Sequence, residues 1–310
     1  MKNFVFYLFI LISINVSSQN QGILWRITRE DLKDTSYILG THHGLQPSII
    51  IPNEIKLSLK KSEVVFTEVK DVNFLTGFEA LLNIRSFYKI LFNPNFKSLE
   101  KYIGKEKYLK IKKTSLKHYK VDSNLFRFYS RFRPLIMVSF FPNIDNKKFI
   151  DNKKIKNYSL DDSIRYYGNN YNLKMKHLEN MRSISKNFRN VPIKLESDLI
   201  FDSIFFSDTI SKPDIYLDTL YLQGISKDFF MKEIDKMSLP ELYMNNALLV
   251  DRNLKWFPKF EPYLLKKSTF IAVGLDHLLP NKFGLIDLLR LKGYKVECIV
   301  KEIKINSNTP

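Results

Sequence analysis

The chain has 310 residues, of which 45% are hydrophobic and 26% charged, a composition that is ordinary for a folded protein. Its formal net charge is +17, but the lysines are scattered, and no glycine-rich phosphate loop or zinc-finger spacing accompanies them. This pattern favours a solvated basic surface over a nucleic-acid site, although the positive field can still attract anionic lipid or polysaccharide.

The first eighteen residues have the pattern of a secretory signal peptide. Met1-Lys-Asn precedes an apolar run from Phe4 to Ile12, and Val16-Ser-Ser18 supplies permissive residues before the expected cleavage point. The run is shorter than the roughly 20 apolar residues of a membrane-spanning helix, and no later segment is long and uncharged enough to span. No cysteine lies near the cleavage point, so a lipid anchor is not expected. We therefore predict a secreted or periplasmic domain over residues 19–310.

The first half of a repeated pattern follows. Residues 36–40 form an apolar, β-prone run that ends in Gly-x-x-His at His43. Residues 52–61 are predicted to form a helix with proline in its first turn, and residues 64–69 a second strand. Glu68 lies inside that otherwise apolar strand. Carboxylates are rarely buried unless they are paired or bind a cation, so Glu68 requires a partner, which imidazoles and a metal ion would supply.

The middle of the chain, about residues 74–200, has long amphipathic stretches and few turn signals, which predict a largely helical insertion. Residues 143–157 are lysine-rich and are expected to form a solvated loop. Another stretch, residues 124–133, places four apolar side chains on one helical face: Leu125, Phe128, Tyr129 and Phe132. We expect that face to pack on the sheet rather than on a membrane.

The pattern of strand, Gly-x-x-His, helix and strand returns near the end of the chain. Residues 269–274 are the predicted strand, and His277 completes the motif. Residues 284–292 predict a helix that stops at Gly293. Residues 294–300 predict the last strand, which we expect among the central strands of the sheet.

Three residue types near these elements have simple structural explanations. Glu297 corresponds to Glu68 in the repeat, but we expect it to face solvent. His118 and His177 are expected to be surface or satisfied interior histidines rather than ligands. Cys298, the single cysteine, lies in an apolar strand and is expected to be a buried structural thiol.

The two halves predict an α/β (α+β) fold with a mixed central sheet, related by a pseudo-two-fold axis and covered by helices. Ligands of open α/β sheets bind at the carboxyl edge of the strands, so we expect His43 and His277 to meet there, with Glu68 and Arg252 facing the same site. Residues 239–250 predict a helix that ends before Arg252 and Asn253, where the helix dipole alone would explain the arginine.

In their order and spacing, these motifs resemble the TraB/GumN family, which includes the Tiki metalloproteases and is related more distantly to erythromycin esterases and the haem-binding ChaN proteins. The similar segments cover nearly the whole chain after the signal peptide: residues 23–28, 35–43, 62–68, 160–161, 177–179, 251–256, 273–278 and 284–296. The chain departs from the usual motifs at His42, Lys70 and Asp276. Of these, His42 and Asp276 put polar groups beside the site and could alter the metal or substrate preference.

The resemblance implies a secreted metal-dependent hydrolase, a peptidase acting on an extracytoplasmic peptide or protein. His43, His277 and Glu68 would hold the metal or the attacking water, and Glu68 could equally act as general base. Arg252, with Asn253 beside it in the family's Arg-Asn pair, would stabilise the developing oxyanion or orient Glu68.

Three further points follow from the same resemblance. Zinc, manganese and cobalt all suit imidazole and carboxylate ligands, and the ligand types do not choose among them. Glu179 follows a family-like position and could support the ligands. The alternative function is a binding protein of the same fold that sequesters a peptide, haem or another ligand without turnover.

Overall fold

The computed structural model describes the following residues: 22–42, 49–69, 78–118, 121–139, 160–205, 235–278 and 283–305. The predicted signal peptide, His43, Lys70 and the lysine-rich segment 143–157 lie outside these ranges. Within the ranges, no helix combines the length and the apolar character needed to cross a bilayer.

Strands occur mainly towards the two ends of the chain, and helices dominate its middle. The strands are β1 (Leu24–Thr28), β2 (Ser36–Thr41), β3 (Ile49–Ile50), β4 (Val64–Val69), β5 (Lys174–Glu179), β6 (Thr269–Gly274), β7 (Lys295–Val300) and β8 (Lys304–Ile305). The α-helices are α1 (Asn53–Lys60), α2 (Phe78–Leu91), α3 (Glu100–Ile103), α4 (Lys105–His118), α5 (Ser123–Tyr129), α6 (Pro134–Ser139), α7 (Leu160–Asn170), α8 (Met181–Asn190), α9 (Ile193–Phe205), α10 (Leu239–Asn245), α11 (Asp251–Leu264) and α12 (Leu285–Leu291). Shorter helical turns occupy Pro94–Phe96, Asn246–Val250 and Leu275–His277.

Six strands form a mixed sheet in the order β5-β4-β6-β2-β1-β7. The strands β5, β4, β6 and β2 run parallel to one another, whereas β1 is antiparallel to both β2 and β7. The centre of the sheet is buried on both faces, which is why β2, β4 and β6 are apolar along most of their length. Thr41 lies opposite Gly274, so β2 and β6 end at the same edge of the sheet.

The predicted pseudo-two-fold relation holds only in part. From β2 the chain passes over β6 to reach β4, and from β6 it passes over β2 on its way to β7. The strand that precedes both halves, β1, pairs with the free edge of β2 and separates it from β7. The expectation that residues 294–300 form a central strand is therefore wrong: β7 lies at the edge of the sheet.

The segment between the two halves is not only helical. It contributes β5, which extends the sheet beyond β4 and places Val69 opposite Glu179. Lysines and apolar residues alternate at the start of β5, and it is half exposed, as expected for an edge strand. The prediction of a helical insertion missed this strand because the strand has no continuous apolar run.

The helices of the insertion have a hydrophobic core of their own, whose buried members are Leu99, Ile111, Val121, Phe126, Phe132, Met137, Ile193 and Phe201. Phe126 anchors α5 in this core, whereas Leu125 is 48% and Phe128 is 49% exposed. The expectation that the face with Leu125 and Phe128 packs on the sheet is therefore wrong. Within α5 the side of the helix that carries Phe126 is the buried one, and Phe132 lies beyond the helix end at Tyr129.

A buried ion pair joins two helices of this second core. Arg133, directly before α6, donates to the carboxylate of Glu196 in the first turn of α9 and to the carbonyl of Val191 at 2.9 Å. The other oxygen of Glu196 accepts the backbone N–H of Leu135 at 3.0 Å. Each charged side chain is only 2% exposed. The pair thus fixes the start of α6 against the start of α9.

Gly40 permits the close approach of the two motifs. A Cβ at this position would lie 2.4 Å from Leu275 Cδ1 and 3.2 Å from Leu275 Cα. The Leu275 side chain could rotate away, but its backbone lies in the turn that carries His277. The first glycine of the repeat is therefore required by packing against the second motif.

We expect Gly40→Ala to lower the free energy of unfolding by about 1–3 kcal/mol, the usual cost of forcing an extra carbon into a packed interior. Denaturant unfolding of the variant and the natural chain measures this difference. An unchanged free energy would show that the turn at Leu275 is not fixed against β2.

Candidate functional site

Polar side chains from four elements meet at the carboxyl edge of the parallel strands. Glu68 lies near the end of β4, and Glu179 is the last residue of β5. His277 lies on the helical turn that follows β6, and Arg252 lies in the first turn of α11. This is the edge at which open α/β sheets bind their ligands.

The guanidinium of Arg252 is the centre of this cluster. Its Nη2 donates to Glu68 Oε2 at 2.9 Å and to the carboxylate of Glu179. Its Nη1 donates to His277 Nε2 at 3.0 Å and to the Leu248 carbonyl at 3.2 Å. Glu179 is buried, and Glu68 and Arg252 are nearly so. Two carboxylates share one guanidinium, so these described members carry an excess of one negative charge.

The position of Arg252 differs from its prediction. The chain does not leave the helix at Val250 but continues through a π-helical turn, Asn246–Val250, into α11. Arg252 and Asn253 therefore begin a long helix, and a C-terminal dipole cannot explain the arginine. Neither glycine nor proline interrupts residues 246–253, which is why the helix continues.

The α11 helix is held against the sheet by its aromatic side chains. Trp256, one turn after Arg252, is 1% exposed. The Arg252 guanidinium carbon lies 4.5 Å from the centre of the Trp256 ring, and the His277 ring centre lies 4.3 Å from it. The indole thus forms an apolar wall behind both polar groups and restricts their movement.

Asn253 fixes the protonation state of His277. Its Nδ2 donates to the carbonyls of His277 at 2.9 Å and Phe283 at 3.0 Å, so its Oδ1 must face His277 Nδ1, at 2.8 Å, as an acceptor. His277 Nδ1 therefore carries the proton. Arg252 can only donate, so His277 Nε2 must offer its lone pair. Both neighbours require a neutral imidazole whose Nε2 lone pair accepts the hydrogen bond from Arg252.

We expect nitrogen NMR of the histidine-labelled chain to show His277 protonated at Nδ1 and not at Nε2. Asn253→Ala removes the three hydrogen bonds of a buried side chain, and we expect it to lower the free energy of unfolding by about 2–4 kcal/mol. The same variant removes only the acceptor of the Nδ1 proton, so His277 Nε2 should stay unprotonated beside Arg252. A natural chain with His277 protonated at Nε2 would contradict this assignment.

Gly274, the second glycine of the repeat, contacts the carboxylate of Glu68. The backbone N–H of Gly274 donates to Glu68 Oε1 at 2.6 Å. A Cβ at position 274 would lie 3.2 Å from that oxygen and 3.7 Å from His277 Cδ2. Gly274 therefore allows the carboxylate, the imidazole and the backbone N–H to approach one another closely.

The other candidate residues of the sequence lie around or away from the cluster. His177 is half-buried, and its Nδ1 lies 2.9 Å from Thr67 Oγ1, as expected for a satisfied interior histidine. Asp276 is exposed, and His42 is half-buried at the end of β2. Asp161, in the first turn of α7, is buried and accepts a hydrogen bond from Thr41 at 2.9 Å.

Two residues at the other edge of the sheet have structural roles. Glu297 pairs with Lys295 at 2.7 Å and with Arg26 at 3.0 Å, and these two cations lower the pKa of its carboxyl group. Burial raises the pKa of the Cys298 thiol, which donates to the Val300 carbonyl. Glu297 therefore forms ion pairs at the sheet edge and does not belong to the cluster of Glu68, although the two residues occupy equivalent positions in the repeat.

Glu179 is the member of the cluster whose role the sequence did not define. It ends a strand that the sequence does not predict, and only the pairing of β5 with β4 brings its carboxylate to Arg252. The sequence singled out Glu179 only by its family-like position, as a residue that could support the ligands.

The cluster offers part of a metal site. His277 Nε2 supplies a lone pair, Glu68 supplies a carboxylate, and the excess negative charge suits a cation. In the part of the chain that the structure describes, however, no three His, Cys, Asp or Glu side chains form a group that could hold a metal ion. The donor chemistry therefore fits a divalent transition metal only together with His43, which lies outside the described residues.

The family model described as the TraB/PrgY/gumN family matches residues 23–298. This match covers most of the chain, from β1 to β7, so the chain belongs to that family. Searches among curated proteins and among solved structures give no match.

Proposed function

We propose that the chain is a secreted, metal-dependent hydrolase that acts on an extracytoplasmic peptide or protein. The observation that best supports this proposal is the largely buried guanidinium of Arg252, shared by Glu68, Glu179 and His277 Nε2. Burying several charges costs free energy, and strongly coupled charged groups concentrate at functional sites. A purely structural ion pair would not need an imidazole with a fixed tautomer beside it.

Each residue has a role in this proposal. His43, His277 and Glu68 would hold manganese, cobalt or zinc, which when bound would polarise the scissile carbonyl and lower the pKa of a water molecule. Glu68 would accept a proton from the attacking water, with its carboxylate oriented by Gly274 and Arg252. Asn253 would hold the proton of His277 at Nδ1, so that Nε2 remains an acceptor.

The geometry favours one of the two roles considered for Arg252. Both of its Nη atoms are committed to Glu68, Glu179, His277 and Leu248. Its Nε is buried and has no hydrogen-bond partner among the described residues. These contacts support Arg252 as a positioning residue for Glu68 rather than as a direct donor to the oxyanion.

The second candidate function is the sequestration of a ligand without turnover. The observation that favours it is that Arg252 already satisfies Glu68 Oε2 and His277 Nε2 through its own hydrogen bonds. A cluster with its own internal cation is stable without a metal, and it can support a binding site without reaction chemistry.

Elemental analysis of the purified mature chain, combined with cleavage of a peptide library, distinguishes these functions. We expect the isolated chain to contain a transition metal and to cleave peptides with multiple turnovers. A chelator should stop cleavage, and manganese, cobalt or zinc should restore it. Cleavage that persists in the chelator would contradict metal dependence, and stoichiometric binding without product would establish sequestration.

A further inference from the structure

A strongly basic surface lies on α2 and α8, which pack side by side. Arg182, Lys186 and Arg189 are exposed at the spacing of one helical face of α8. Arg85 and Lys89 lie one turn apart on α2. The sequence of α8 contains no acidic residue. These five cations form no ion pair with any carboxylate among the described residues.

The cations converge in space as well as in sequence. The pKa of the Lys89 ammonium is lowered, first by the positive charge of Arg189, then by burial, and further by the charges of Arg85 and Arg182. Repulsion among like charges opposes folding, so a cluster of this kind is costly unless an anion compensates it. The chain carries this cost on a surface where no described carboxylate relieves it.

Exposed apolar side chains lie beside these cations. Ile84 is 63% and Tyr88 is 44% exposed on α2, one turn apart. Aromatic rings connect them to α5: Tyr88 lies 4.8 Å from Phe92, Phe92 lies 4.4 Å from Phe132, and Phe132 lies 5.3 Å from Phe128. Phe132 is buried between the two ends of this row of rings, and beyond it Leu125 and Phe128 on α5 are about half exposed, which gives an apolar strip with exposed residues at both ends.

We propose that this surface binds an anionic lipid bilayer, with the cations at the headgroup phosphates and the apolar strip at the acyl boundary. The residues of this basic–apolar face are Arg85, Lys89, Arg182, Lys186 and Arg189, together with Ile84, Tyr88, Leu125 and Phe128. A soluble polyanion would satisfy the cations but would leave the apolar strip in water. A bilayer surface compensates both, as it does for interfacial helices with mixed basic and apolar faces.

Cosedimentation of the full chain with lipid vesicles tests this inference independently of any hydrolase activity. Vesicles of phosphatidylcholine with phosphatidylglycerol should bind the chain, increasingly weakly as salt rises, whereas phosphatidylcholine alone should not. The double variant Arg182→Ser with Arg189→Ser should bind about 30-fold more weakly, because each cation near an anionic surface contributes about 1 kcal/mol. Lys266→Ser with Lys292→Ser makes the same charge change at exposed lysines elsewhere and should bind like the natural chain.

The apolar strip needs its own test. Ile84→Ser with Leu125→Ser should weaken vesicle binding at every salt concentration without changing the salt dependence, while thermal unfolding stays as in the natural chain. If Arg182→Ser with Arg189→Ser and Lys266→Ser with Lys292→Ser weaken vesicle binding equally, the proposal is overturned in favour of an effect of net charge alone. Binding to soluble polyglutamate as tight as to vesicles, with no effect of the apolar variant, would overturn it in favour of an acidic polypeptide partner.

Discussion

Arg252→Met is expected to lower the free energy of unfolding by about 3–5 kcal/mol, because it leaves two carboxylates at the sheet edge without their shared cation. Glu179 is 2% exposed and Glu68 is 12% exposed at the side chain, so water cannot fully replace the guanidinium. Turnover should also be lost, since the orientation of Glu68 depends on Arg252. Denaturant unfolding and the peptide-cleavage assay measure the two effects.

A double variant and a surface control make this result specific. Arg252→Met with Glu179→Gln should be less destabilised than the sum of the two single variants, because the second change removes a buried charge that lost its partner. Arg26→Met breaks the exposed pair with Glu297 and should cost no more than about 1 kcal/mol. Equal destabilisation by Arg252→Met and Arg26→Met would contradict the central position of Arg252.

The second large effect is expected in the helical insertion. Glu196→Ala should lower the free energy of unfolding by about 3–5 kcal/mol, because it strands the buried guanidinium of Arg133 and removes the acceptor for the N–H of Leu135. Asp198→Ala, two residues further on the same helix, breaks the partly exposed pairs with Lys107 and Lys194 and should cost about 1 kcal/mol or less. Denaturant unfolding compares the two variants.

Replacing both members of the buried pair separates charge from packing. Arg133→Met with Glu196→Leu should recover most of the stability, since apolar residues of similar volume remove both buried charges together. A double variant as unstable as Glu196→Ala would show that the backbone contacts with Val191 and Leu135, rather than the charge balance, hold the two helices.

The sequence predicts best the strands that are buried on both faces of the sheet. Residues 64–69 and 269–274 are predicted with their observed bounds because a parallel strand buried on both faces has a continuous apolar run. The edge strand β5 alternates between lysines and other residues, so it has no continuous apolar run. The edge position of β7 depends on β1 pairing between it and β2, a long-range choice that local pattern does not encode.

The candidate site is predictable to a similar extent. Glu68 and His277 stand out because an acid in an apolar strand and a histidine after a strand-ending glycine are unusual locally. Their convergence on Arg252 depends on a helix that continues through a π-helical turn. The spacing of apolar residues in the sequence does not indicate that turn. The role of Glu179 is not assignable from sequence because it arises only from the pairing of β5 with β4.

The decisive comparison is Glu68→Gln with Glu297→Gln, because the repeat relates the two residues but only Glu68 belongs to the cluster. Both variants remove one negative charge from a strand glutamate. We expect Glu68→Gln to lose at least about 100-fold in turnover of the peptide library, the usual scale for a general base, with the chain still folded. Glu297→Gln should turn over like the natural chain. Equal turnover in the two variants would contradict the assignment of this cluster as a hydrolase site.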